Sequence, residues 1–283
     1  MKARRCCVLL LLLLLAVAAV AQQTQLQASQ PSSQQDAQGT SPDEPMANPA
    51  RPTVATPATL TPVGYLQFET GVLNATGSPG LSSQFSLNEL IKYSFSRWLQ
   101  VLAASEPYAH SRDQGLSSDA AGDVDVGVQA VVHPGEGANP TVALSYLGRA
   151  YAGAAPDLDI ASFKNRALVL VSADVKGFHY DANALFDELL DNGVRRAAFG
   201  QTLSVSHKLV GDFGLTGEIW HFTQPFLRSN AVGNLWVLTY NASKILVLDC
   251  GFDHGLTSTS TQWEAFAGFT YLLPRRLPLR LGH

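Results

Sequence analysis

The stretch Gly122-Asp123-Val124-Asp125-Val126-Gly127-Val128-Gln129-Ala130-Val131-Val132 alternates with a period of two. Val124, Val126, Val128, Ala130 and Val132 fall on one face, while Asp123, Asp125, Gly127 and Gln129 fall on the other. Such a period is that of a β-strand with one apolar and one polar side. A strand of about ten residues is longer than the common globular strand of about five or six, and it can cross a bilayer when tilted.

The same pattern recurs from Pro62 to the end of the chain. It predicts strands over 64–73, 84–94, 97–105, 122–132, 140–149, 164–175, 177–186, 195–207, 212–222, 234–242, 244–254 and 261–272. In 178–186 the set Phe178, Tyr180, Ala182, Ala184 and Phe186 opposes His179, Asp181, Asn183 and Leu185. In 262–271 the set Trp263, Ala265, Ala267, Phe269 and Tyr271 opposes Gln262, Glu264, Gly268 and Thr270. No stretch after residue 21 carries a helical period. Short connections (Ser94–Arg97, Lys176-Gly177, Lys208–Gly211, Asn241–Ser243) alternate with longer ones, such as Glu106–Ala121 and Ala150–Phe163. Short turns at one end and long loops at the other are how outer-membrane barrels are built. The expected fold is all-β, an antiparallel transmembrane β-barrel of about 12 strands over residues 60–273.

Alternation alone leaves a soluble periplasmic barrel or sandwich open, because a water-filled exterior and a greasy core give the same period. Three features favour lipid outside. The strands are long and uniform. Aromatic residues collect near their ends, as with Tyr65, Tyr93, Phe178, Phe213, Phe222, Trp263 and Tyr271, where an interfacial girdle would stand. The polar face supplies Asp, Glu, Asn, Gln, Thr and Gly with few Lys or Arg, which suits a hydrated lumen. Charged residues make up only 15% of the chain, against about 25% in a typical soluble domain, and the deficit fits a lipid-facing surface. Val124, Val126, Val128, Phe199, Leu203 and Phe269 are expected to face lipid.

Lys2, Arg4 and Arg5 precede an apolar run from Cys6 to Val20, and Ala19-Val20-Ala21 fits a small-x-small cleavage site, so residues 1–21 read as a secretory signal peptide. Its loss takes the basic residues from 19 to 16 against 23 acidic ones, a net charge of −7, which gives no support to nucleic-acid binding. Cys250 is then the remaining cysteine, so no intramolecular disulfide or zinc site of cysteines and histidines is available. Residues 22–59, rich in Gln, Ser, Pro, Ala and Thr, read as a disordered linker kept extended at its end by Pro45, Pro49, Pro52, Pro57 and Pro62. Residues 274–283 form a basic C-terminal tail.

Several motifs are also familiar. Pro62-Val63-Gly64-Tyr65-Leu66-Gln67-Phe68-Glu69-Thr70-Gly71 resembles the first strand, and Ile91-Lys92-Tyr93-Ser94-Phe95-Ser96-Arg97-Trp98-Leu99-Gln100-Val101 the second hairpin, of the bacterial outer-membrane family named for the MetA pathway of phenol degradation. Gly122-Asp123-Val124-Asp125-Val126-Gly127, Asp181-Ala182-Asn183, Gly217-Glu218 and Asp249-Cys250-Gly251 look like its later strand signatures, and the likeness runs from about Pro62 to Leu272. It implies an outer-membrane barrel passing small, often aromatic or hydrophobic, organic solutes, with no catalytic residues to carry over. One departure stands out: Tyr271-Leu272-Leu273 is followed by Pro274-Arg275-Arg276, where such barrels commonly end on an aromatic residue.

The candidate solute path is the inward set of carboxylates Glu69, Asp123, Asp125, Asp181, Glu218, Asp249, Asp253 and Glu264. Clustered charge in a narrow low-dielectric passage focuses potential and favours cations. The plainer reading pairs these groups with Lys92, Arg149 and Arg196. Glu218, Asp253 and Glu264 are expected at similar height in the outward half. Catalysis is not expected, since His179, His207, His221 and His254 lie in no nucleophile motif; no cofactor is expected. Asn74-Ala75-Thr76 and Asn241-Ala242-Ser243 read as turns. A plugged barrel is the alternative, because inward Leu185, Trp220 and Phe266 could fill a small lumen. The partners expected are outer-membrane lipid, small organic solutes and the barrel-assembly machinery. The exported protein should begin at Gln22; N-terminal sequencing of the secreted form checks this, and a retained Met1–Ala21 contradicts export by cleavage.

Overall fold

The computed structural model describes residues 45–159, 162–191 and 193–277. Residues 1–21, the expected signal peptide, and residues 22–44 of the expected linker lie outside them, as do residues 278–283 of the tail. The strands are β1 (Leu66–Ser78), β2 (Leu81–Ser94), β3 (Leu99–Asp113), β4 (Leu116–Ala120), β5 (Val124–His133), β6 (Thr141–Tyr151), β7 (Phe163–Val175), β8 (Phe178–Asp191), β9 (Val194–Lys208), β10 (Phe213–Gln224), β11 (Ser229–Ser243), β12 (Leu246–Gly255) and β13 (Trp263–Leu272). Each pairs antiparallel with its neighbour, and β1 pairs with β13 from Gln67–Leu272 to Thr76–Trp263, which closes the sheet. β3 meets β5 near the termini and β4 beyond it, so β4 and β5 share one position in the wall. The result is the expected closed antiparallel barrel of 12 strands, with no free edge along most of its height.

The opening stretch becomes β5, and its alternation sorts as read. Val126 and Val128 are exposed while Gln129 is 1% exposed. Leu203 and Phe269 are also exposed on the outer face, Val124 and Phe199 are half-buried, and Phe199 meets Phe186 edge-to-face at 4.9 Å. Val72, Leu144, Ile219, Trp236, Leu248 and Phe252 extend this belt around the wall. So continuous an apolar exterior far exceeds the patch of a few hundred Å² that a soluble monomer tolerates, and a bilayer is the solvent that matches it.

The strands run further than the alternation predicts at the end away from the termini. Residues 74–83 are not a long connection but a hairpin closing at Pro79-Gly80, and Glu106–Ala121 is not a loop but the end of β3 turned back into β4. These overhangs carry polar side chains on both faces, as in Ser111-Arg112-Asp113 and Leu116-Ser117-Ser118-Asp119, so they lose the two-residue signal once they leave the apolar belt. Ladder hydrogen bonds hold them instead. The tight turns obey local chemistry: Gln114-Gly115 and Lys176-Gly177 place both central residues at positive φ (46° and 85°, 52° and 83°), the mirror-image turn that matches strand twist.

Two aromatic expectations are corrected. Phe222 points into the lumen at 4% exposure, because it continues the inward row Thr216, Glu218 and Trp220. Tyr93 is covered rather than interfacial: its hydroxyl donates to Leu277 O at 3.0 Å, and Leu277 N donates to Gly64 O at 2.7 Å, so the first turn of the tail folds back on the barrel rim. Phe178, Phe213 and Trp263 are exposed near strand ends as expected.

A charge at the midplane of a barrel's outer face costs about 2–4 kcal/mol for Arg or Lys. Val126→Arg should therefore impair folding into detergent or lipid, measured by loss of the heat-modifiable band in electrophoresis, whereas Asp125→Asn on the opposite face should leave the band intact.

Candidate functional site

Residues 45–59, the described part of the expected linker, are ordered, together with residues 60 and 61 of the expected barrel. They form an extended strap inside the barrel, with Ala55 and Ala58 at 0% exposure and Thr61 at 2%. An extended chain in a closed space leaves its backbone N–H and C=O groups without ladder partners, and each must be met by a side chain of the wall. The inward faces supply them from strand after strand. Asn48 N donates to Gln67 Oε1 at 2.8 Å, and Asn48 O accepts from Lys92 Nζ and Gln67 Nε2, both at 2.7 Å. Ala50 N and Arg51 N both donate to Glu69 Oε2, at 2.9 and 2.8 Å. Val54 N and Ala55 N donate to the two oxygens of Glu218, at 3.0 and 2.7 Å. Asn183 takes Thr56 through both N–H and C=O (2.7 and 2.9 Å), Ser172 Oγ accepts from Ala58 N at 2.7 Å, Gln129 donates to Pro57 O at 3.0 Å, and Gln100 accepts from Thr61 N at 3.0 Å.

Partners on β1, β2, β3, β5, β7, β8 and β10 fix the strap from around the wall. Arg51 reaches Asp249 on β12 at 3.9 Å, and burial holds its guanidinium below the usual arginine range. Gly71 and Gly268 make room for it: a Cβ on Gly71 would lie 2.0 Å from Arg51 Nη2, and one on Gly268 2.9 Å. Val54 and Ala58 complete an apolar cluster with Leu168, Leu170, Leu185, Trp220 and Phe222.

The eight carboxylates expected in the lumen all lie on inward rows, but they do different things. Glu69 and Glu218 bind strap amides, and Glu69 also pairs with Lys92 at 2.5 Å. Asp249 faces Arg51. Asp181 accepts from Ser172 Oγ at 2.5 Å and so orients the group that holds Ala58, with His179 Nε2 at 3.2 Å on its other oxygen. Asp123 pairs with Arg149 at 3.1 Å and accepts from Gly153 N and Ser162 Oγ, tying down the connection from β6 to β7. Asp125, Asp253 and Glu264 line an open cavity of about 380 Å³ in the half away from the termini, whose lining includes Val54 of the strap.

Glu218, Asp253 and Glu264 do share one row, through Glu218–Leu235, Leu235–Asp253 and Asp253–Glu264. They are not a free trio, because the strap has taken Glu218. Arg196 is not a carboxylate partner; it donates to Pro225 O and lies over Phe226. His179 sits between Asp174 and Asp181, His207 stacks on Phe178 at 4.5 Å, and His254 meets Trp263 at 4.2 Å. Cys250 is exposed on the outer face.

Sequence reasoning missed the strap and its amide and hydroxyl partners Gln67, Gln100, Gln129, Ser172 and Asn183. It also missed Asp157 and Asp159, which the β6–β7 connection brings to the cavity; burial raises both above the usual carboxylate range, and Asp159 Oδ1 accepts from Thr261 N at 2.6 Å. The signal that could have found the strap is the proline spacing, since an extended segment beside a polar lumen needs partners for its amides.

No family model matches the chain, and no curated protein does. Among solved structures, an outer-membrane channel from Pseudomonas putida F1 superposes with a TM-score of 0.56 at 12% identity, covering 76% of this chain and 98% of that one. The NanC porin gives a TM-score of 0.51 at 13% identity, covering 73% and 98%. At such identities the likeness is one of fold, and the fold shared is the closed antiparallel β-barrel.

Removing a hydrogen-bonding partner from a buried N–H costs about 1–3 kcal/mol per group. Glu69→Ala combined with Glu218→Ala strips four strap amides of their acceptors, so thermolysin should cut the folded variant within residues 45–61 while the parent barrel stays intact there. Equal resistance of both would contradict the role given to these carboxylates.

Proposed function

We propose that the chain is a channel-like barrel of the bacterial outer membrane that gives small organic solutes a passive route, with its own N-terminal strap restricting the lumen. The observation that carries this reading is the division of the interior. One half is crossed by residues 45–61, and the other is an open cavity lined by carboxylates. The apolar exterior and the fold shared with outer-membrane channels support residence in that membrane, in contact with its lipid and delivered by the barrel-assembly machinery. The resemblance of the strand motifs to the phenol-degradation family supports organic, including aromatic, solutes. Passage past the strap requires it to shift, because its backbone is tied to the wall on several sides.

A second reading, a plugged structural barrel, draws on the cluster that Val54 and Ala58 form with Leu168, Leu185 and Trp220. Planar bilayers separate the two. The full chain should pass a small current with cation preference, and deletion of residues 45–59 should raise conductance severalfold. Asp253→Asn with Glu264→Gln should lower cation over anion selectivity without preventing insertion. A deletion variant that inserts yet conducts no more than the full chain would favour the plugged barrel.

A further inference from the structure

The open cavity has a one-sided charge that the channel reading does not by itself require. Eight of its lining residues are Asp or Glu and none is Lys, Arg or His; of the eight, Asp123 is paired with Arg149 from outside the lining. Asp253 and Glu264 stand directly opposite each other on β12 and β13, an arrangement of like charges that destabilises a sheet. Asp253 is 5% exposed; its Oδ2 accepts from Trp220 Nε1 at 2.6 Å, and its Oδ1, also buried, has no hydrogen-bond partner in the protein. A buried carboxylate oxygen left without a donor is costly, and Asp253, which carries it, lines the cavity, where a bound cation would offset that cost. Arg149, the base beside the cavity's Asp123, is already engaged by that carboxylate and by Ser162.

We infer that this cavity is a binding site for a small organic cation, an ammonium or amidinium group carried on an apolar body. The charged end meets Asp253 and Glu264, with Asp125 and Asp159 adding to the negative field, because charge-assisted hydrogen bonds are strongest where water is scarce. The body packs on Val54, Leu73, Phe163 and Trp220, which share the same lining. Among the described residues no group of three or more side chains is placed to hold a metal ion, and these apolar walls suit a carbon skeleton better than a hydrated inorganic cation. This deepens the channel reading by naming a solute class, yet the site would bind equally in a barrel that does not conduct.

Calorimetry on the full chain folded in detergent tests it with benzylammonium and the uncharged benzyl alcohol. Benzylammonium should bind one to one and at least about tenfold more tightly than the alcohol. Asp253→Asn and Glu264→Gln should each weaken it by about tenfold, whereas Asp119→Asn on exposed β4 should not. Because Asp253 also holds Trp220, the Glu264→Gln variant decides the matter if Asp253→Asn does not fold. Equal affinity for amine and alcohol, or an unchanged affinity in the folded variants, would overturn the inference. Binding without conductance would sink the channel reading alone; conductance without binding would sink this one.

Discussion

Closure of β1 on β13 is the constraint from which the rest follows. A closed sheet has an inside and an outside, and strict alternation sends every second side chain to each. With the outside apolar, the interior must accommodate nearly all the polar side chains of the wall. A lumen lined by Gln67, Glu69, Gln100, Gln129, Asn183 and Glu218 is full of acceptors and donors that need partners, each of them 5% exposed or less. The strap supplies those partners from backbone groups, which explains how a segment without strand or helix can be ordered there.

The strap and the wall are complementary in a second way. Glu69 and Glu218 each receive two successive backbone N–H groups, a charge-assisted arrangement stronger than bonds between neutral groups. Wall residues shrink where the strap is bulky, at Gly71 and Gly268 beside Arg51, and grow where it is small, at Leu168, Leu170 and Trp220 beside Ala58. This fit confines the strap to one side and leaves the acidic cavity on the other. The shape of the lumen is therefore a property of the pair, wall and strap, rather than of the barrel alone.

How much of this could be read from the sequence depends on the range of the interactions. The two-residue period of Val124–Val132 or Trp263–Tyr271 is local, so the strands, their number and their lipid-facing sides were legible. The inward rows of the eight carboxylates followed from the same parity. The strand overhangs were hidden because, outside the apolar belt, Ser117-Ser118-Asp119 carries no contrast between faces. The strap was hidden because its contacts are remote: Ala58 and Ser172 lie 114 residues apart, and Val54 and Glu218 lie 164 apart. Its Pro, Ala and Thr composition is that of a chain with no core of its own, and only the lumen of a folded barrel gives it one.

The central claim is that the strap's amides are bonded to the wall inside the lumen. Amide hydrogen exchange on the barrel folded in micelles measures this residue by residue, because a bonded and buried N–H exchanges only when its segment opens. Ala50, Val54, Ala55, Thr56 and Ala58 should be protected to a degree comparable with the strand amides that flank Glu69 and Glu218. Exchange of these five at the rate of an unstructured peptide, in a barrel whose strands are fully protected, would contradict it.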